Sequence, residues 1–66
     1  MPRYRYYYEY NSEEGVFDVL EEDGGYEHGA YYDVLLFSTA TGGDAQDAVN
    51  TLTKLASKTL KKEQHE

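Results

Sequence analysis

Residues 30–38 have the sequence AYYDVLLFS, which is rich in the aromatic and β-branched residues that β-strands favour. Apolar residues occupy both odd and even positions of this run, so both faces of the strand are apolar. Asp33 is the one charged residue in it. The run therefore predicts a strand that lies at the centre of a sheet or is its best-covered strand.

Two further strands are predicted upstream of this run. Residues 3–10, RYRYYYEY, alternate as a strand does. Its two faces hold Tyr4, Tyr6, Tyr8 and Tyr10 on one side and Arg3, Arg5, Tyr7 and Glu9 on the other. Residues 16–22, VFDVLEE, predict the second strand, and the turn-forming residues 11–15, NSEEG, join the two in a hairpin. Residues 23–25, DGG, predict the turn into the third strand, because glycine reaches the positive φ that hairpin turns require.

A helix is predicted after the loop at residues 39–43. Asp44 is a favourable N-cap, and Asp47 stands three residues on as a capping-box-like acid. Spacings of three and four then give an apolar stripe made of Ala45, Ala48, Val49, Leu52, Leu55, Ala56 and Leu60. The prediction is an α+β fold, β-β-β-α, with this helix packed on one face of a three-stranded antiparallel sheet. Residues 1–66 form a single domain, in which residues 61–66 are expected to be a frayed tail.

The composition is strongly acidic. Thirteen Asp and Glu stand against six Lys and Arg, which gives a formal net charge of −7. All charged residues between 9 and 47 are carboxylates: Glu9, Glu13, Glu14, Asp18, Glu21, Glu22, Asp23, Glu27, Asp33, Asp44 and Asp47. The field of such a chain repels phosphates, so we predict no direct nucleic-acid partner.

The expected location is the cytoplasm, and no membrane partner is expected. The chain has no cysteine, which suits a reducing compartment. Tyrosines and Glu9 follow the basic start, where a signal peptide needs an apolar stretch. No segment approaches the roughly 20 apolar residues of a membrane-spanning helix.

Groups suited to catalysis are scarce. The conventional bases are His28, in a glycine-flanked loop where we expect it to be solvated, and His65, in the predicted tail. The acids of residues 21–23 lack the spacing of a calcium-binding loop. We therefore predict that the protein is not an enzyme and has no catalytic residues, no metal site and no cofactor.

The eight tyrosines support two interpretations. They could form a platform on which bases stack, but such platforms lie in positively charged grooves. Packing within strands is favoured for the tyrosines at positions 4, 6, 8 and 10. Tyrosines that point outward would serve as anchors for a protein partner, and the candidates are Tyr7, Tyr26, Tyr31 and Tyr32.

The carboxylates also support two interpretations. An acidic, solvated surface keeps a small protein soluble. Eleven carboxylates with no intervening Lys or Arg add self-repulsion that solubility does not require, which favours a binding role. Carboxylates at alternate strand positions lie about 6.5–7 Å apart, a spacing similar to that of phosphates along a DNA strand. This predicts mimicry of DNA toward the Arg and Lys side chains of a basic protein surface.

The predicted partner-binding set contains the acids of this region and two aromatic neighbours. It consists of Glu13, Glu14, Asp18, Glu21, Glu22, Asp23, Tyr26, Glu27, Tyr32 and Asp33. A chain of 66 residues has a thin core, so we expect either a monomer or a homodimer.

Residues 16–60 resemble the HicB-type antitoxin fold in the order of their features. A strand leads to the acidic, glycine-paired stretch EEDGGY at 21–26, then to another strand, and TGGDA at 41–45 opens a helix that continues through Asp47 and Leu52. That family adds a further strand after the helix, and no counterpart of it follows in these 66 residues. The resemblance implies an alternative function, an antitoxin-like module that sequesters a small basic RNase toxin.

In size, acidity and aromatic content the whole chain resembles the small phage-encoded anti-CRISPR proteins that mimic DNA. This resemblance implies an inhibitor in the bacterial host cell that occupies a nucleic-acid-binding surface of a CRISPR-Cas effector, such as the subunit that binds target DNA. A minor structural subunit is the third alternative, and it predicts stable self-assembly.

Overall fold

The structure is a computed structural model that describes residues 5–64, and among these the side chains of residues 5–57. The strands are β1 (Tyr6–Asn11), β2 (Val16–Glu27) and β3 (Ala30–Thr39), and the helix is α1 (Gly42–Gln64). They form a three-stranded antiparallel sheet in the order β1-β2-β3, followed by the helix. The predicted α+β fold is confirmed.

The cross-strand pairs show which side chains share each face of the sheet. Tyr8, Val19 and Phe37 are cross-strand partners, and the helix lies over this side, because Gly42 is against the ring of Phe17 and Val19 is fully buried. We call it the helix face. The opposite side, the open face, has at its centre the cross-strand row of Tyr7, Leu20 and Leu35.

The first strand begins later than predicted, at Tyr6, and residues 1–4 lie outside the described residues. Tyr8 and Tyr10 lie on the helix face, where their ring centroids are 6.2 and 5.1 Å from that of Phe17. Both rings remain partly exposed. The predicted packing of these tyrosines is therefore a contact at the rim of the helix rather than burial in a core.

The prediction that the third strand is central or best covered is wrong. The central strand is β2, and β3 is an edge strand whose Leu35, Leu36 and Phe37 are 56%, 41% and 40% exposed. One helix over a three-stranded sheet covers only part of one face. Among the described side chains only Val19 and Ala45 are fully buried. An edge strand that the helix covers only in part has the same apolar sequence pattern as a buried central strand.

The turn predicted at residues 23–25 is also absent, because β2 continues through it to Glu27. Between Glu21 and Gly25 the strand is bulged. The carboxylate of Asp33 holds this bulge by accepting the backbone N–H of Asp23, at 2.9 Å, and Asp23 has a φ of 56°. Gly25, at the end of the bulge, lets the ring of Tyr32 lie directly over the backbone.

The chain turns instead at His28 and Gly29, whose φ values are 52° and 81°. Two consecutive positive φ angles are those of the type I′ turn, whose twist matches that of a two-residue hairpin. The turn predicted between the first two strands is present, and there the side chain of Asn11 accepts the backbone N–H groups of Glu13 and Glu14.

The helix begins two residues before the predicted N-cap, Asp44. The N-cap is Thr41, whose hydroxyl accepts the backbone N–H of Asp44 at 3.1 Å, so Asp44 is the third helical residue. Such an acid in the first turn complements the helix dipole.

The predicted apolar stripe faces the sheet over most of its length. Its buried and half-buried members are Ala45, Ala48, Val49, Leu52 and Ala56. Leu55 is largely exposed, and the side chain of Leu60 lies outside the described ones. The helix continues to Gln64, and residues 65 and 66 are outside the described range, so fraying of the tail stays a prediction.

The two glycines of the bulge provide a matched test of this packing. A methyl group at Gly25 would collide with the ring of Tyr32, whereas one at Gly24 would meet only the flexible carboxylate end of Glu21. We expect Gly25→Ala to lower the free energy of unfolding by about 1–2 kcal/mol, as overpacking does. Gly24→Ala should be neutral or slightly stabilising. Urea unfolding followed by circular dichroism measures both, and equal midpoints would contradict the placement of Tyr32.

Candidate protein-docking face

An apolar row crosses the middle of the open face. Tyr7 on β1, Leu20 on β2 and Leu35 on β3 are neighbours in register. Tyr7 and Leu20 are half-buried, and Leu35 is exposed. No part of α1 lies on this face, so the row is available for contact with another molecule.

An acidic row lies on one side of it, formed by Glu9, Asp18 and Ser38 in register. Asp18 is held from both neighbouring strands, since its carboxylate accepts Asn11 Nδ2 at 3.2 Å and Ser38 Oγ at 2.6 Å. Glu9 is exposed and lies directly opposite Asp18. Like charges opposite each other destabilise a strand pair, so this arrangement is a cost for the isolated fold.

A second acidic row, with Glu22 and Asp33, lies on the other side of the apolar row. Arg5 Nη1 is 3.4 Å from Glu22, and the backbone N–H of Glu22 donates to the carbonyl of Arg5. The acidic block contains no Lys or Arg of its own, but the fold brings Arg5, the residue before β1, to Glu22. Pairs as exposed as this one contribute little to stability.

Asp33 connects the three strands. The hydroxyl of Tyr7 donates to its Oδ2 at 2.5 Å, while its Oδ1 accepts the N–H of Asp23. These two hydrogen bonds, the one from Tyr7 first, lower the pKa of Asp33, and partial desolvation opposes them. The bond to Asp33 is also the main cause that raises the pKa of Tyr7 to about 12, with desolvation and the charges of Asp33, Glu9 and Glu22 adding to it.

The predicted partner-binding residues do not all share one face. Asp18, Glu22 and Asp33 lie on the open face, while Glu21 is on the helix-face side of β2. The remaining residues lie at its ends and rim: Glu13 and Glu14 in the first turn, Asp23 in the bulge, and Tyr26, Glu27 and Tyr32 near the second turn.

Glu9 is absent from the predicted partner-binding set, although the alternation of β1 places it on the same side as Tyr7.

Of the four tyrosines named as candidate anchors, Tyr26 and Tyr31 form an exposed cross-strand pair with ring centroids 4.8 Å apart. Tyr7 is instead held by Asp33, so its ring is part of the face rather than a projecting anchor.

The described residues contain no group of three His, Asp or Glu side chains placed to hold a metal ion. His28 lies in the exposed second turn, with Nε2 3.5 Å from the carboxylate of Glu27. Within residues 5–64 the helix is too polar to cross a membrane.

Comparisons of the chain with protein-family models, with curated proteins and with solved structures found no match. The resemblances to anti-CRISPR proteins and to HicB-type antitoxins therefore stay predictions.

The hydrogen bond between Tyr7 and Asp33 predicts how stability depends on pH. Asp33 has a lowered pKa in the folded state, so its contribution is present above its ordinary value of 3.8 and is lost as pH falls through the folded pKa. Tyr7 has a raised pKa, so its contribution is present below pH 10.0 and is lost as pH rises toward about 12. Tyr7→Phe should remove the alkaline loss and reduce the acid loss, as measured by urea unfolding across pH.

Tyr10→Phe is the control for this experiment. It removes a hydroxyl from the same strand, keeps the ring contact with Phe17 and leaves the bond between Tyr7 and Asp33 intact. Its stability profile should follow that of the wild type. If Tyr7→Phe also gave the wild-type profile, the bond would not form in solution.

Proposed function

We propose that the protein is a non-enzymatic inhibitor whose open face binds a basic, nucleic-acid-binding surface of another protein. The observation that carries the proposal is the order of rows on this face, in which an apolar row lies between two acidic ones. Stable protein interfaces have the same anatomy, with an apolar centre inside a polar rim.

The charge of the sheet supports a basic partner. Residues 5–39 contain nine carboxylates and one arginine, a net charge of −8. Arg5, the one cation in this segment, is already paired with Glu22. The lysines are all in the helical segment, from Lys54 onward. This separation directs an approaching cationic surface to the sheet and speeds its association.

The apolar row favours a protein as the partner. Leu35 and the ring of Tyr7 offer contact area at the centre of the face, where desolvated side chains contribute most of the binding energy. The carboxylates around them match the Arg and Lys side chains that a nucleic-acid site presents to phosphates. The molecule is a plate of 44 × 32 × 12 Å, so the face is broad for so small a chain.

The partner class we propose is a DNA-binding subunit of a CRISPR-Cas effector in the bacterial cytoplasm, as the resemblance to DNA-mimicking anti-CRISPR proteins implies. Competition follows from the mechanism, because the inhibitor and the nucleic acid would occupy the same cations. The antitoxin-like function differs only in its partner, a small basic RNase, and the same experiment separates the two.

The test uses Glu9→Gln with Asp23→Asn against Asp44→Asn with Asp47→Asn. Both double variants remove two negative charges by isosteric change, and Asn tolerates the positive φ at position 23. The first pair changes the sheet, and the second pair changes the start of the helix. Binding to a CRISPR effector identified from bacterial lysate should weaken on the order of tenfold per carboxylate that meets a cation. It should be unchanged in the helix variant.

Wild-type binding should also fall as salt rises, and double-stranded DNA should compete with it. Capture of a small basic RNase in place of an effector would support the antitoxin-like function. Binding that neither salt, DNA nor the sheet variant weakens would contradict DNA mimicry.

A further inference from the structure

The outer edge of β3 has no partner within the described part of the chain. The strand is ten residues long, and its outward N–H and C=O groups form a template for pairing with another strand. The opposite edge belongs to β1, which is six residues long and carries Glu9.

The edge lacks most of the features that keep edge strands from pairing. Natural edges are protected by lysines, prolines, inward charges or a covering segment. In β3 there is neither Lys nor Pro, its one charge, Asp33, is directed toward Tyr7, and its protective feature is a bulge next to Leu36. Five apolar or aromatic side chains are exposed along it: Tyr31, Tyr32, Leu35, Leu36 and Phe37.

The lack of charged residues along this edge indicates which kind of molecule can pair with it. A basic partner is attracted by carboxylates, and residues 34–43 contain no charged residue. A second copy of the chain carries the same net charge of −7, so copies can meet only where acids are few. Residues 34–39, the uncharged part of β3, meet this condition.

We propose that two copies pair through β3, antiparallel and about a two-fold axis perpendicular to the sheet, to form a six-stranded sheet. A two-fold contact is self-complementary and closes after two copies. This axis keeps both helices on one side and joins the two open faces on the other. The dimer therefore presents the open face twice, in one plane.

The thin core of a single copy also favours pairing. The radius of gyration, 13.5 Å, exceeds the roughly 11 Å of a compact domain of this length, and few side chains are buried. Pairing would compensate for that thin core.

Sedimentation equilibrium of the wild type, Leu36→Glu and Leu55→Glu tests the proposal. Leu36 lies in the middle of the uncharged part of β3, whereas Leu55 is an exposed residue of the helix, and both variants add one negative charge. The wild type should be a dimer whose dissociation constant falls as salt rises, because salt screens repulsion between like charges. Leu36→Glu should raise that constant on the order of tenfold or more. Leu55→Glu should leave it nearly unchanged.

A wild-type monomer at about 100 μM, a dimer insensitive to Leu36→Glu, or a ladder of larger species would each overturn the proposal. If Leu36→Glu does not fold, hydrogen exchange of the wild type decides. The β3 amides should exchange more slowly at high than at low protein concentration, and concentration-independent exchange would overturn the pairing. The dimer should strengthen as salt rises, whereas binding of a basic partner should weaken. The two proposals can therefore fail independently of each other.

Discussion

The two hydrogen bonds that the carboxylate of Asp33 accepts are the interaction on which the rest of the sheet depends. It accepts a hydrogen bond from Tyr7 on β1 and another from the backbone of β2 at Asp23, while it belongs to β3 itself. Because it satisfies the N–H group of the bulge, β2 can pass through a glycine pair without turning. The bulge in turn brings Gly25 opposite Tyr32, and the second hairpin follows from that register.

Periodicity was sufficient to predict the elements that depend on local chemistry. The stripe of α1 and the alternation of β1 each follow from side-chain direction, and the structure has both. The failures involve non-local partners. DGG at residues 23–25 is a turn in most contexts, and only Asp33, ten residues from Asp23, makes it a bulge. The helix cap moved to Thr41 because two residues in the same segment can cap, and the backbone selects one.

The sequence was sufficient to predict that the candidate site is acidic, but it predicted only in part which acids share a face. Charge and alternation identify an acidic sheet, and Asp18, Glu22 and Asp33 do lie on one face. Sequence spacing could not show that Arg5 pairs with Glu22, because the two are 17 residues apart and meet only through strand register. Nor could it show that β3 lies at the edge of the sheet and is largely exposed, since an apolar run has the same pattern whether its strand is central or at an edge.

The separation of charge from apolar surface within one sheet has a consequence for how copies of the chain meet. Pairing at an exposed edge can continue into open-ended aggregates when both edges of a sheet are free and neutral. Here β1 carries Glu9 opposite Asp18, and the open face is acidic on both sides of its apolar row. Copies bearing −7 each repel wherever these surfaces approach, and the repulsion is weakest along residues 34–43. The same carboxylates that attract a basic partner thus restrict self-association to one edge, where a two-fold pair closes on itself.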